Sequence, residues 1–258
     1  GKKERGALAQ EVAAVLANPQ DLLYTRLLRR MFDGTPYAHD ALGTRPSFRR
    51  TSAAMLRKFH KDWYAPNNAV LVIAGDVDAT GALAMVRERF GAIPSRKLPA
   101  RREVSFSPLL PLTIDMDTDL SYGLTVVAWR LPGFDSPDYA AGQVLADVLE
   151  SKRGNLYALV AEGEILSLDF EVNALPKGAF GYAIAAFPQG RDGRGIVLRV
   201  KETVDAYLRN GIPEELVEAS KRHEVADAQF RKNSVTGLAS AWSDAVAVEG
   251  RDSPDDDV

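Results

Sequence analysis

The most informative stretch for the fold is Trp63-Tyr64-Ala65-Pro66-Asn67-Asn68-Ala69-Val70-Leu71-Val72-Ile73-Ala74-Gly75-Asp76-Val77-Asp78. The residues from Asn68 to Ala74 are mainly β-branched or aliphatic, so a strand is predicted there. Gly75-Asp76 would close that strand. Asp78 is a typical helix-capping residue, and the helix that it starts is expected to end at Gly91. The run therefore predicts a strand, a turn and a helix that packs on the strand.

Three helices are predicted before this run, the first because it is rich in Ala, Leu, Glu and Gln, which are good helix formers, and the other two because apolar residues recur three or four positions apart. The first covers Glu4 to about Ala17, the second includes Leu22 to Met31, and the third covers Ala53 to Trp63 after a cap at Thr51-Ser52. An ordered loop is predicted for Thr35 to Pro46, where Pro, Gly and Asp recur. The side chains of the third helix that are expected to lie in the core are Met55, Leu56, Phe59 and Trp63.

A second block of structure is predicted after Ile93 to Pro111, a stretch rich in proline and basic residues that is typical of a domain boundary. The strands predicted beyond it are Leu112 to Asp117, Leu120 to Arg130, Ile165 to Val172 and Gly178 to Phe187. The helices predicted beyond it are Tyr139 to Leu149, Ile196 to Asn210, Pro213 to about Lys232, and Ser234 to Val248. Helices and hairpin-joined strands in two successive blocks predict two α+β domains, residues 1–95 and 112–258, with residues 96–111 as a linker.

The composition excludes several classes of protein. The chain has 258 residues, of which 46% are hydrophobic, and its formal net charge is −3, so a general nucleic-acid binder is not expected. It has no cysteine, which excludes disulfides and thiolate zinc sites. No apolar run approaches the roughly 20 residues that span a membrane. Gly1 to Glu4 lack the apolar core of a signal peptide, and Asp252 to Val258 is typical of the lead into a further helix, so we expect a piece of a longer protein.

Glu4 and Glu11 are the first candidates for a functional site. Positions seven apart on an α-helix lie about two turns apart on one face, which suits one metal ligand and one supporting carboxylate. In a chain of which 26% is charged, the same spacing is also common on a solvated helix face. Spacing alone therefore leaves both interpretations open.

Three stretches together resemble the M16 metallopeptidases, the family of pitrilysin, insulinase and the mitochondrial processing peptidase. Trp63 to Asp78 is similar to the family's Y-x-P-N-N run, which leads into a strand closed by Gly-Asp. Tyr37 to Thr44 is similar to the loop that the family places upstream of the preceding helix. Glu4 and Glu11 match the two glutamates, seven apart, on a helix of the family's peptidase domain.

The resemblance implies a fold and a set of roles. We expect two M16-type α+β domains, each an antiparallel sheet with helices packed on one face, and both truncated in this chain. The first would be the C-terminal half of a peptidase domain, and the second a non-catalytic domain. By the resemblance Glu11 is the third zinc ligand and Glu4 lies in the second shell. Peptides or unfolded polypeptides would be the substrates, and the partner would be a paired M16 half or a second copy. A periplasmic or exported bacterial protein is favoured.

This sequence lacks the part of the family pattern that catalysis requires. Family members carry an H-x-x-E-H motif, whose histidines bind zinc and whose Glu is the general base. The three histidines here are His39, His60 and His223, and none of them belongs to such a motif. We therefore expect no catalytic residue and no bound zinc in this chain, which should be inactive alone. Two hypotheses remain, namely a part of a zinc endopeptidase and a non-catalytic M16-like scaffold or partner subunit.

The remaining candidates have simpler interpretations. We expect His39 to make a loop hydrogen bond, and His60 and His223 to lie on solvated surfaces. Gly190 to Gly195 lacks the lysine and hydroxyl of a phosphate loop, so a flexible turn is predicted. Paired-carboxylate chemistry is conceivable for Asp115, Asp117 and Asp119, but outward-facing residues of a strand explain their alternation more simply.

Overall fold

The computed structural model describes residues 2–40 and 43–255. Its helices are α1 (Lys2–Ala17), α2 (Pro19–Met31), α3 (Arg45–Arg50), α4 (Ala53–Trp63), α5 (Ala79–Phe90), α6 (Tyr139–Glu150), α7 (Asn155–Ala161), α8 (Gly193–Asn210), α9 (Glu214–Arg231) and α10 (Val235–Ser243). Its strands are β1 (Tyr122–Leu131), β2 (Ser167–Leu175) and β3 (Gly178–Pro188). Short 3₁₀ turns lie at Pro36–Ala38 and Pro66–Asn68, and a π-helical turn, Asp244–Glu249, follows α10.

Several helices begin at a side chain that accepts a hydrogen bond from a free backbone amide. The Asn18 side chain accepts a hydrogen bond from the amide of Gln20 at 2.9 Å at the start of α2. Ser52 accepts from the amide of Met55 at 3.2 Å at the start of α4. Asp78 accepts from the amide of Gly81 at 2.6 Å and starts α5, as predicted.

The chain forms two compact units, one of residues 1–69 and 78–118 and the other of residues 70–77 and 119–258. In the first unit the buried side chains include Val12 on α1 and Leu28 on α2. Phe32 is 1% exposed, and its ring centroid lies 5.8 Å from that of Tyr37 and 5.4 Å from that of Phe106. The domain limits 1–95 and 112–258, inferred from the sequence, remain a prediction.

The second unit is built on an antiparallel sheet with strand order β1-β3-β2. β2 and β3 form a hairpin, with Leu175 opposite Gly178, and Ala183 of β3 pairs with Val127 on one side and Phe170 on the other. Helices α6, α7 and α8 contact the sheet. The core cluster is Val127, Leu149, Leu156, Leu159, Ile165, Leu168, Phe170, Ala183, Ala185, Phe187, Ile196, Val200 and Tyr207. The predicted α+β fold, an antiparallel sheet with packed helices, is confirmed.

Two strand predictions are wrong for the part of the chain that the structure describes. No ladder forms at Asn68 to Ala74, where a 3₁₀ turn ends and an irregular segment follows, nor at Leu112 to Asp117. Both segments have strand-like sequences. A strand also needs the hydrogen bonds of a neighbouring strand, and composition cannot show whether that neighbour is present.

The predicted core of α4 is also wrong. Met55, Leu56 and Phe59 are each more than half exposed, and only Trp63 is half-buried. Helical periodicity identifies an apolar face correctly, but the face is buried only where another element covers it.

Two short helices were not predicted. α3 begins inside the predicted loop, where Thr44 and Ser47 form a reciprocal capping box. Residues 41 and 42 of that loop, and residues 256–258 of the predicted lead into a further helix, lie outside the described residues. α7 begins after Gly154, which has no capping side chain, so nothing local in the sequence indicates its start.

Candidate functional site

Helix α1 carries the first candidate site residues. The predicted helix over Glu4 and Glu11 is present, and it packs against α2 and α3. Val12 is 5% exposed, whereas the neighbouring Glu11 is exposed. Within residues 2–40 and 43–255, the Glu11 side chain has no hydrogen-bond or ion-pair partner. The side chain of Glu4 lies outside what the structure describes, and its pairing with Glu11 stays a prediction.

The described residues do not form a zinc site around Glu11. No group of three or more His, Asp or Glu side chains in the described part of the chain could hold a metal ion. Tetrahedral zinc in a peptidase needs three protein ligands, and one carboxylate cannot replace them. No catalytic step through zinc can be derived from these residues alone.

The three histidines lie in different environments, and none of them belongs to a metal-binding group in the described part of the chain. His39 Nδ1 lies 3.2 Å from the carbonyl oxygen of Asp40, which is the local loop contact predicted for it. His60 is exposed, and its ring stacks on Tyr64 with centroids 4.8 Å apart. His223 also lies on an exposed face, but it has a partner that its sequence neighbours do not reveal.

That partner is Asp147, a residue of α6. His223 Nδ1–H on α9 donates to Asp147 Oδ2 at 2.8 Å, although 76 positions separate the two residues. The Asp147 side chain is 15% exposed and that of His223 is 72% exposed, so the pair lies at the edge of the α6–α9 contact. An aspartate on a helix predicted to be largely apolar was the only sequence signal for this pair.

The pair has a distinct electrostatic environment. The hydrogen bond to Asp147, followed by the negative charge of that carboxylate, raises the pKa of His223 above its usual value. Burial raises the pKa of the neighbouring Glu224 carboxyl, and the charge of Asp147 adds to that effect. The site therefore gathers one imidazole and two carboxyl groups, whose charges depend on one another.

The two remaining candidate motifs agree with their simpler interpretations only in part. Pro188 to Arg191 forms a turn, and α8 begins at Gly193, where the Asp192 side chain accepts a hydrogen bond from the amide of Arg194 at 3.0 Å. Asp115, Asp117 and Asp119 are exposed, although the strand expected to carry them is not formed.

Comparison with known proteins decides the family. The model of the family described as the peptidase M16 inactive domain matches residues 50–223, two thirds of the chain. The chain belongs to this M16 family. The match covers α4, the Trp63 to Asp78 run and the whole three-stranded sheet, so it includes the most specific of the motifs that carried the resemblance.

Curated relatives of this M16 chain are named as zinc proteases. An uncharacterized zinc protease of Mycobacterium bovis is 34% identical over 102 residues, which is 40% of this chain and 23% of that protein. An uncharacterized zinc protease of Bacillus subtilis, YmfH, is 31% identical over 98 residues, 38% of this chain and 23% of that protein. The matched part thus spans less than a quarter of the length of these relatives.

Solved structures share the fold of this M16 chain. A protease from Helicobacter pylori superposes with a TM-score of 0.79 at 18% identity, covering 95% of this chain and 61% of that one. The periplasmic protease PqqL from Escherichia coli gives a TM-score of 0.73 at 16% identity, covering 96% of this chain and 29% of that one. At such identities the superposition supports the fold alone. In the described part of the chain, no helix combines the length and apolar character that crossing a membrane requires.

Proposed function

We propose that this chain forms part of a zinc-dependent endopeptidase that hydrolyses peptides or unfolded polypeptides, and that it is inactive by itself. The observation that carries the proposal is the match to the M16 family over residues 50–223, together with relatives named as zinc proteases. These relatives are much longer than the matched part, so there is room in such a protein for the missing zinc-binding motif. Zinc would supply an activated water for attack on a peptide carbonyl.

Within this proposal, Glu11 is the zinc ligand that this chain contributes, and Glu4 is a positioning residue that orients the site. Two features support the role of Glu11. Its carboxylate is exposed and has no partner in the described structure, and it lies on a helix held by the buried Val12. A ligand fixed on a packed helix can meet two histidines from another segment with little loss of conformational entropy.

The experiment measures zinc in the full-length gene product that contains this chain. Glu11→Gln keeps the size and helix propensity of the side chain but removes the charge. We expect about one zinc per wild-type molecule and a loss of at least about tenfold in zinc affinity for the variant. Glu88→Gln, at another exposed glutamate on a helix, is the matched control and should bind zinc as the wild type does. Equal zinc content in the wild type and Glu11→Gln would overturn the assignment.

The second candidate function is a non-catalytic scaffold or partner subunit. The family model that matches carries the description of an inactive domain, which is the specific observation in its favour. A full-length product without an H-x-x-E-H motif, without zinc and without peptidase activity would select this function. A paired M16 half would then be the partner. The periplasmic neighbour PqqL supports a periplasmic or exported placement, which fractionation of the native cells would test.

A further inference from the structure

Residues 97–105 form an open loop of the first unit, called the 97–105 loop below. The loop contains no helix or strand, and all of its side chains except Leu98 and Val104 are exposed. Within the described part of the chain, its residues make no hydrogen bond and no ion pair. An endopeptidase needs an extended backbone that it can pull away from the fold, and such exposed loops are where proteolytic cleavage concentrates.

The loop begins at a fixed point, which is the backbone of Arg96. The Asn67 side-chain amide donates to the Arg96 carbonyl oxygen at 2.9 Å, and the Arg96 amide donates to Asn67 Oδ1 at 3.0 Å. The Arg96 guanidinium also donates to the carbonyl oxygen of Lys61 on α4 at 3.2 Å. These three hydrogen bonds hold Arg96 at the end of α4, so the bond after Arg96 is protected although Arg96 is basic.

The loop ends at a second fixed point, which is the ring of Phe106. This half-buried ring lies 5.4 Å from the ring of Phe32 and 6.0 Å from that of Tyr37, measured between centroids. Phe32 is itself buried, so Phe106 is anchored in an aromatic cluster of the first unit. The loop is therefore an open stretch between two anchors.

The loop carries three exposed cations, Lys97, Arg101 and Arg102. An endopeptidase that cuts after Lys or Arg binds this side chain in a pocket that contains a carboxylate. None of the three is in an ion pair within the described part of the chain, so none has to be released before it can enter such a pocket. Basic residues on helices, such as Arg87 and Arg89 on α5, become accessible to a peptidase only when the helix opens.

We propose that the 97–105 loop is a cleavage site for an endopeptidase that recognises Lys or Arg, and that the cleaved chain stays assembled. One water molecule adds across the peptide bond after Lys97, Arg101 or Arg102. It leaves a new carboxylate on the first fragment and a new amine on the second, and no other reactant is needed. The proposal does not rest on the zinc role of Glu11, and Glu11→Gln should be cleaved as the wild type is.

The cleaved chain stays assembled because each compact unit contains chain from both sides of the cut. The first unit includes residues 103–118, which belong to the second fragment and contain the anchor Phe106. The second unit includes residues 70–77, which belong to the first fragment. Within that unit, a Cβ at Gly75 would lie 3.9 Å from Val235 Cγ1 on α10. Separation of the fragments therefore requires that both units lose a packed segment.

Limited digestion of the full-length gene product with a low ratio of trypsin tests the site. Mass spectrometry of the new amino termini reports where this chain is cut and how fast. The first termini within this chain are expected to be Leu98, Arg102 and Glu103. A first cut inside one of its helices would overturn the proposal.

Two triple variants measure how much the loop contributes to the cleavage rate. Changing Lys97, Arg101 and Arg102 to Gln should slow the first cut in this chain by about tenfold or more, because the remaining sites require local opening. The matched control changes three exposed basic residues on helices to Gln, namely Arg57, Arg89 and Lys201. It should be cut as fast as the wild type. Equal rates for the two triple variants would overturn the assignment of the loop.

Size-exclusion chromatography of the cleaved product tests whether the fragments stay together. We expect one particle in buffer and two fragments of this chain on a denaturing gel. Phe106→Ala should lower the urea concentration at which the fragments separate by about 0.5 M or more. Leu110→Ala, at an 80% exposed position of the same segment, is the control and should leave that concentration unchanged.

Far-UV circular dichroism before digestion checks that the Phe106 variant is folded. Phe106→Leu, a smaller change, should give an intermediate shift and replaces the alanine variant if that one does not fold. Fragments that separate in buffer without urea would overturn the retained assembly. Equal urea concentrations for the Phe106 variants and Leu110→Ala would overturn the role of Phe106 as the anchor.

Discussion

His223 and Asp147 join α9 to α6 through a hydrogen bond of 2.8 Å between Nδ1 and Oδ2. The carboxylate is mostly buried and the imidazole mostly exposed, so the imidazole can titrate freely while its partner stays in place. The strength of this link between two helices therefore depends on the proton of His223.

The stability of the second unit should fall as the pH rises past the pKa of His223. This pKa is higher in the folded chain than the usual value of about 6.5, chiefly because of the hydrogen bond to Asp147. The stabilisation is therefore complete below about pH 6.5 and is lost as the pH rises through the folded value. Because the imidazole is largely exposed, we expect the free energy of unfolding to fall by only about 0.5 kcal/mol.

The titration of the His223 ring protons by NMR, with urea unfolding at about pH 6 and pH 9, measures this dependence. Asp147→Asn should bring the pKa of His223 down towards its usual value and should reduce the difference between the two unfolding midpoints. His39 and His60 serve as internal references that the substitution should not affect. An unchanged His223 titration in Asp147→Asn would contradict the assignment of Asp147 as its partner.

The hydroxyl of Tyr207 should act as the cap of α7. The amide of Asn155 donates to Tyr207 Oη at 3.1 Å, and Gly154 offers no side chain for this purpose. Tyr207→Phe is expected to lower the free energy of unfolding by about 1 kcal/mol, because it leaves that amide without a hydrogen-bond acceptor. Urea unfolding and faster amide exchange at Asn155 would show the effect. Tyr157→Phe, on α7 itself, is the control and should change stability by less than about 0.5 kcal/mol.

Leu156 should be essential for the core of the second unit. It is 1% exposed and packs among the aliphatic and aromatic side chains of the sheet and helices. Leu156→Ala should lower the free energy of unfolding by about 2 to 5 kcal/mol, since it removes buried methyl groups and leaves a cavity. Leu166→Ala, at a 58% exposed position, should cost less than about 0.5 kcal/mol. Similar costs for both would contradict the described core.

Alanine substitutions at Gly133 and Gly142 should have opposite effects on stability. A Cβ at Gly133 would lie 2.3 Å from the amide nitrogen of Gly178 and 2.4 Å from the carbonyl oxygen of Leu175. Such contacts are steric clashes, so the β2–β3 hairpin would have to shift. We expect Gly133→Ala to cost about 2 kcal/mol or more. A Cβ at Gly142, inside α6, meets nothing within 4 Å, and alanine there should stabilise by about 0.5 to 1 kcal/mol. Thermal unfolding of both variants measures the contrast.

The sequence alone was sufficient for features that depend on neighbouring residues. Ser52 and Asp78 begin their helices as predicted, because a capping side chain accepts a hydrogen bond from an amide three positions away. The β2–β3 hairpin follows in the same way from two alternating runs with a short turn between them. The Trp63 to Asp78 run was specific enough to indicate the M16 family, which the family match confirmed.

Tertiary structure decided whatever depends on a partner distant in the sequence. Val70 to Ala74 has the composition of a strand but no ladder, since a strand exists only with its neighbour, and Phe59 has the spacing of a core residue but is exposed. α7 begins at a hydroxyl on α8, and His223 finds its carboxylate 76 positions away. Periodicity and capping are local properties that residue order determines directly, whereas pairing and burial depend on which distant segments the fold brings together.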